Sequence, residues 1–322
     1  MRGIAAIAVL AFHSREALGV GWLATSGYLA VDLFFVMSGF VIAHAYEARL
    51  PAMGVARFMK ARMIRFMPLF YLGGMLGLFR LGLLALTGHE PDTDLPGAIA
   101  YFLFLPAPPS SSAAGSLAPL NGPGWSLLLE IYINLAYALL LPRLNNRLLA
   151  IIALVSAIGL LAGMSDHQDL ADAHWANGWI AALRITFSFP VGVLLYRLRG
   201  GFAGLRVATA VPVIVFWLCA CVPPSAWWDY LFVLLVSPIL VILGSAVRES
   251  SMLARYGASA SYCIYAIHLP LISMANGASK VAPLPPPATV AIVIAAILAA
   301  APLVHAWFDA PVRRWLNRTF TA

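Results

Sequence analysis

The amino-acid sequence predicts an all-α membrane protein, a polytopic bundle of about ten transmembrane helices. It reads as one domain over residues 1–322, with the N- and C-termini cytoplasmic. Three observations predict this class. Hydrophobic residues make up 62% of the 322 residues and charged residues only 10%, and mean hydropathy is +0.88. A soluble domain carries about a quarter charged residues, so too few remain here to coat a solvated surface. Apolar runs of the length that crosses a bilayer recur along the chain. The basic residues punctuate these runs instead of sharing one face, so the net charge of +7 speaks for membrane topology and against nucleic acid.

Each element follows in order. The first run, 3–18, is expected to remain as a span and not to be a cleaved leader. His13, Ser14, Arg15 and Glu16 close it without a small-residue cleavage site. The second, 27–46, carries Asp32 and a Ser38–Gly39 pair suited to close helix contact. The third, 62–86, opens on Arg62 and Arg65. The piece 98–105 is too short to span and reads as a half-helix or re-entrant segment. Residues 106–124, rich in Pro, Ser, Ala and Gly, read as an extended surface loop. Further spans are expected at 125–141, 147–164, 178–197, 205–222, 228–246, 257–276 and 287–310, with Trp125 as an interfacial anchor.

Alternating these spans from a cytoplasmic N-terminus places sixteen of the twenty Lys and Arg residues on the inner side, as the positive-inside rule requires. The exceptions are Arg15, Arg80, Arg184 and Lys280. The outer loops then hold Glu90, Asp92, Asp94, Asp166, Asp169 and Asp172.

Ionisable groups inside a span cost about 2.5–3.5 kcal/mol on insertion scales and normally face a cavity or a partner. His13, Asp32, Glu130, Arg184 and His268 are such groups. His13 lies eleven residues after Arg2, and His268 lies eleven after Gly257, where the ninth span enters from the same side. At 1.5 Å per residue both are expected roughly 16–17 Å in, at matching depth. An imidazole there can take a proton from a hydroxyl; the plainer reading is a packed histidine. Arg62 and Arg65 share one helical face and can grip phosphate, or simply anchor the inner interface. Glu130 is expected near the outer side. Asp309 is expected to pair with Arg313 one turn on. His44, His89, His167, His174 and His305 are expected to be structural or solvated. Cys219, Cys221 and Cys263 form no CxxC pair, and no metal is expected. P-loop, Rossmann, HExxH and GxSxG motifs are absent. The residues alone therefore leave a membrane transferase and a proton-coupled sugar or drug transporter both open.

Several segments together resemble the acyltransferase 3 family of integral-membrane acyltransferases. They are Arg2-Gly3 with His13 ten residues further on, Gly27–Gly39 (GYLAVDLFFVMSG), Arg62–Tyr71 (RMIRFMPLFY), Trp125-Ser126-Leu127 with Glu130 and Tyr132, Gly192 and Tyr196, Ser261–Pro270 (SYCIYAIHLP), and Asp309-Ala310-Pro311. Ile131, Ile267 and Asp309 depart from the residues usual in the family. The resemblance implies transfer of an acyl group, most often acetyl, from cytoplasmic acyl-CoA to a carbohydrate hydroxyl at a bacterial inner membrane. On this reading His13 is the general base or a transient acyl carrier, and His268 a second relay group. Arg2, Arg62 and Arg65 hold the anionic donor. Glu130 orients the acceptor or a histidine from the outer side. The partners implied are the lipid bilayer, acyl-CoA and a carbohydrate or glycoconjugate acceptor.

Overall fold

The computed structural model describes residues 1–163, 170, 173–247, 252–279 and 284–321. Among these residues the chain is helical, with a single isolated bridge between Ser116 and His174. The helices are α1 (Arg2–Ser14), α2 (Ala30–Tyr46), α3 (Leu50–Met53), α4 (Val55–Leu86), α5 (Leu95–Phe102), α6 (Gly124–Leu140), α7 (Asn146–Ala162), α8 (Gly178–Arg197), α9 (Ala210–Ala220), α10 (Ala226–Leu231), α11 (Ser237–Ser245), α12 (Met252–Ala278), α13 (Pro286–Val304) and α14 (Ala310–Thr321). π-helical turns join α10 to α11 at Phe232–Val236 and α13 to α14 at His305–Asp309. Six stretches among the described residues are long and apolar enough to cross a membrane: Gly27–Tyr46, Val55–Leu86, Gly124–Arg143, Gly178–Arg197, Ala226–Ser245 and Pro287–Phe320. Arg2–Ser14, Asn146–Ala162 and Ala210–Ala220 are shorter apolar helices.

The boundaries differ from the sequence expectation where local chemistry decides them. The first helix stops at Ser14, whose hydroxyl turns back onto the Leu10 carbonyl at 2.6 Å. The long α4 begins at Val55, seven residues before the expected start, because Gly54 breaks the preceding turn with φ of 77°. The short piece is a helix shifted to Leu95–Phe102, capped by Asp94, which accepts from Gly97 N at 2.8 Å. Residues 106–124 do not form an extended surface loop. Ala107, Ser111, Leu117, Ala118, Leu120 and Asn121 are buried. Backbone bonds from Leu117 N to Ala173 O and from Trp175 N to Gly115 O, both 2.9 Å, tie the segment to the approach to α8.

Glycines set the helix crossings that matter for the site. A methyl group on Gly3 would fall 2.5 Å from Gly257 Cα, so α1 and α12 touch backbone to backbone. Likewise a methyl on Gly39 would fall 2.0 Å from Phe189 O, and one on Gly192 2.1 Å from Val36 O, which brings α2 against α8. Between those two helices Arg184 Nη2 and Nε reach Asp32 at 2.6 and 3.0 Å, with Arg184 Nη1 on Leu170 O at 2.6 Å. Both side chains are fully buried. The two spans thus neutralise each other's intramembrane charge.

Candidate active site

The Gly3–Gly257 contact fixes the register of α1 on α12. Counting ten residues along one helix and eleven along the other then brings His13 and His268 to the same level. Their ring centroids lie 5.2 Å apart. His268 is fully buried. Its Nδ1 lies 2.8 Å from Tyr265 O and 3.2 Å from Ile264 O. A carbonyl only accepts, so Nδ1 carries the proton and Nε2 presents a bare lone pair. That Nε2 has no hydrogen-bond partner among the described residues.

On one side of this pair lies a cavity of about 540 Å³, walled by Arg2, Arg62, Arg65, Arg313, Glu130 and Asn317 among others. Arg62 Nη2 is 3.5 Å from Glu130 Oε1, which also accepts from Ser38 Oγ at 2.5 Å. Arg62 and Arg65 stack over Phe66 and Tyr262, at 4.8 and 5.8 Å from the ring centres. Arg313 is held by an ion pair to Asp309, which in turn meets His305 Nδ1 at 2.9 Å. Four guanidinium groups facing one carboxylate make a site for a polyanion.

On the other side a chamber of about 20 Å³ is lined by His13, Tyr28, Trp125 and Tyr265, with Gly122 and Leu269 at its edge. Tyr265 is common to this chamber and the arginine cavity. Its hydroxyl shares a 2.6 Å bond with Ser126 Oγ and donates to Pro123 O at 3.2 Å. Gly122 and Leu269 are common to the chamber and a third, open cavity of about 810 Å³. The small chamber lined by His13 thus shares a wall with each of the two larger cavities.

The structure brings together most residues singled out from sequence, in two groups. His13 and His268 form one; Arg2, Arg62 and Arg65 form the other. Glu130 was expected beside the acceptor on the outer side. It lies instead among the arginines, because six residues into α6 it meets the Arg62 turn of α4. Trp125 is not an interfacial anchor: it is 2% exposed, with the Arg184 guanidinium 5.6 Å from its ring. Asp309 pairs with Arg313 as expected. Of the exceptions to the charge rule, Arg80 binds Asp92 through two bonds of 2.6 and 2.8 Å. Arg15 lies over Phe12 at 4.1 Å. Lys280, His167, Asp166, Asp169 and Asp172 lie outside the described residues. Sequence reasoning missed Tyr265, Ser126 and Arg313 as site-lining groups; only the segment SYCIYAIHLP pointed towards the first. Cys263, His305 and Asp309 offer ligand atoms within 4.8 Å of one another. Arg313 Nη2 lies against two of these three residues, paired with Asp309 and 3.4 Å from His305 Nδ1.

The sequence as a whole is similar to those of known proteins. The family model described as "Acyltransferase domain" matches residues 1–305. Protein 2 in the picA locus of Rhizobium radiobacter is 35% identical over 179 residues, covering 52% of this chain and 92% of the relative. The exopolysaccharide production protein ExoZ of Rhizobium meliloti is 28% identical over 309 residues, 86% of both chains. A Komagataeibacter xylinus protein named as a membrane-bound transacylase, BcsY, is 28% identical over 233 residues, 67% of this chain and 55% of the relative. No solved structure matches the chain.

Proposed function

Because the chain belongs to the acyltransferase 3 family of membrane acyltransferases, we propose that it moves an acyl group, most simply acetyl, from cytoplasmic acyl-CoA to a hydroxyl of a carbohydrate or glycoconjugate at the bacterial inner membrane. The observation that carries this reading is the small chamber lined by His13, which shares a wall with each of two larger cavities. The arginine cavity is suited to the phosphates of the donor. About 16 Å separates Arg2 from His13 along α1, a reach that suits a pantetheine arm. The acceptor enters from the open side. A span count of about ten, with both termini cytoplasmic, puts the arginine cavity on the side where acyl-CoA is found. A proton-coupled transporter is not favoured: the family is one of acyltransferases, and a transporter has no use for a polyanion site beside its relay.

In the proposed reaction His13 takes the proton from the acceptor hydroxyl as that oxygen attacks the thioester carbonyl. The carbon–sulfur bond breaks, and the thiolate leaves with the proton returned by His13. The products are the ester and free CoA. His268, with its proton fixed on Nδ1, offers the Nε2 lone pair to an N–H of His13 and sets which His13 nitrogen is basic. Glu130 holds Arg62 in place through its oxygen shared with Ser38. The ExoZ relative's name makes an extracellular polysaccharide the first acceptor to try. The test is transfer of label from acetyl-CoA to envelope carbohydrate in membranes holding wild type or His13→Ala at equal level. Label entering carbohydrate only with wild type supports the reading; equal transfer by both removes His13 from the chemistry.

A further inference from the structure

Beside the arginine cavity, α1, α2, α9, α11 and α12 border a space that the proposed reaction does not use. Its volume is about 480 Å³, and Ile4, Ile7, Met37, Val213 and Val241 give it an apolar lining. Val41 lines it too. That residue is 44% exposed, although Gly27–Tyr46 is the most enclosed of the six candidate spans, at 72%. The slot has a direction. Arg2, Thr209 and Ser245 stand at its helix ends. Four residues inward along the same helices or their neighbours lie Val213, Val241 and, after Gly3, Ile7. Four residues are about 6 Å of helix, so a polar rim gives way to apolar walls within one turn, towards the middle of the bilayer.

Phe40 and Ser245 of this slot also line an open cavity of about 790 Å³ at the same ends of α2, α8 and α11. His44, Tyr196, Arg197 and residues of the 3-10 turn Arg199–Phe202 complete it. No described residue lining either space is acidic. Arg197 is committed elsewhere, Nε donating to Glu47 at 2.9 Å and Nη1 to Leu144 O at 2.7 Å. Arg199 is exposed. Its guanidinium lies over the Tyr196 ring at 3.9 Å and gives one N–H to Tyr196 O at 2.7 Å. A guanidinium carries five N–H donors, so most of them remain for an anion of forked geometry such as phosphate. A methyl on Gly200 would meet nothing within 4 Å, so there is room beside it. A basic well that opens onto an apolar slot is the complement of a phospholipid. The base of a nucleotide would find no hydrogen-bond partners on the slot's aliphatic walls. From this juxtaposition we propose that the two spaces together seat one anionic phospholipid, its phosphate on Arg199 and an acyl tail in the slot against Ile4, Ile7 and Val213. On the proposed orientation these helix ends meet the inner leaflet, whose surface is negative. Gly3 and Gly257 border the slot, so the seated tail packs beside the crossing that sets His13 against His268.

The experiment uses the full-length protein purified in detergent and phosphatidylglycerol carrying a photoreactive diazirine in one tail. On irradiation, saturable label is expected within residues 1–7, 37–41, 209–213 and 241–245. Unlabelled phosphatidylglycerol should remove it, with phosphatidylcholine at least ten-fold weaker and glycerol phosphate without effect. Arg199→Gln changes an exposed side chain, so folding is retained, and it should weaken the labelling about ten-fold, as loss of a charge-assisted bond does. Label spread over other helices and indifferent to Arg199→Gln overturns the site. Equal competition by phosphatidylcholine overturns the anionic selectivity. Competition by glycerol phosphate as strong as by the lipid means a phosphate site without a tail, and displacement by acetyl-CoA gives the slot to the donor; either result overturns the phospholipid. Acyl transfer has no part in this readout, so the site and the enzyme reading stand or fall separately.

Discussion

At the scale of single residues, the site depends on which polar atoms are committed to the fold and which are left over. His268 spends its Nδ1 proton on the Tyr265 and Ile264 carbonyls, so only Nε2 is available to chemistry. Asparagine can keep the first role and lacks the second. His268→Asn is therefore expected to insert normally, with KM for acetyl-CoA held and kcat lowered about 10- to 100-fold, within the range for loss of acid–base assistance. An unchanged kcat would show His268 to be packing alone. Arg62 is a different case. The bonds proposed for it to the donor phosphates would be charge-assisted and worth about 1.5–3 kcal/mol, so Arg62→Ala should raise the KM for acetyl-CoA roughly 10- to 100-fold. Lysine should recover little of it, because a fork is replaced by a point charge. Initial-rate measurements over donor concentration separate these outcomes. The histidines were legible in the sequence because depth along a helix is a matter of counting. Glu130 was misjudged because counting says nothing about which neighbour a residue meets sideways.

At the scale of elements, close glycine crossings hold His13 and His268 at one level. Gly3 and Gly257 let α1 and α12 touch ten and eleven residues before the two histidines. Gly257→Val should push the helices apart and cut transfer at least ten-fold, although no group proposed to act in the chemistry has been removed. Thermal unfolding in detergent should show a smaller loss than activity does. The α2–α8 pair behaves otherwise, since it carries a buried ion pair. Asp32→Ala leaves the Arg184 charge uncompensated and should cost about 3–5 kcal/mol of stability. Asp32→Leu combined with Arg184→Met should regain most of that. A double variant as unstable as the single one would mean that the two groups do more than neutralise each other. The sequence marked both residues as out of place in lipid. It could not show that they were one another's answer, because 152 positions separate them. The segment 106–124 was misread for a related reason: its composition describes a chain without regular structure, and irregular chain can still be packed and buried. Here a few backbone bonds to the residues before α8 convert it into the wall of a cavity.

At the scale of the whole molecule, the proposed chemistry demands one orientation. Acyl-CoA is cytoplasmic, so on the proposed chemistry the cavity with four arginines opens inward and the open cavity beside Ala114 outward. The charge pattern predicts the same, with sixteen of the twenty basic residues on the inner side of a ten-span alternation. The two arguments are independent, because one rests on donor chemistry and the other on insertion. Both place Ala114, at the exposed rim of that open cavity, outside the inner membrane. Both also place Arg318, exposed on α14, inside. With Cys219, Cys221 and Cys263 first replaced by Ser, a thiol at Ala114→Cys should react with an impermeant maleimide on intact cells whose outer barrier has been opened. A thiol at Arg318→Cys should react only after the inner membrane is permeabilised. Labelling of both positions from outside would mean an even number of crossings between them. Labelling of Arg318→Cys alone would turn the arginine cavity away from its donor, and the donor assignment would fall with it. On the proposed chemistry the expected pattern leaves the acyl group a single direction of travel, from the inner cavity past His13 to an acceptor on the outer side.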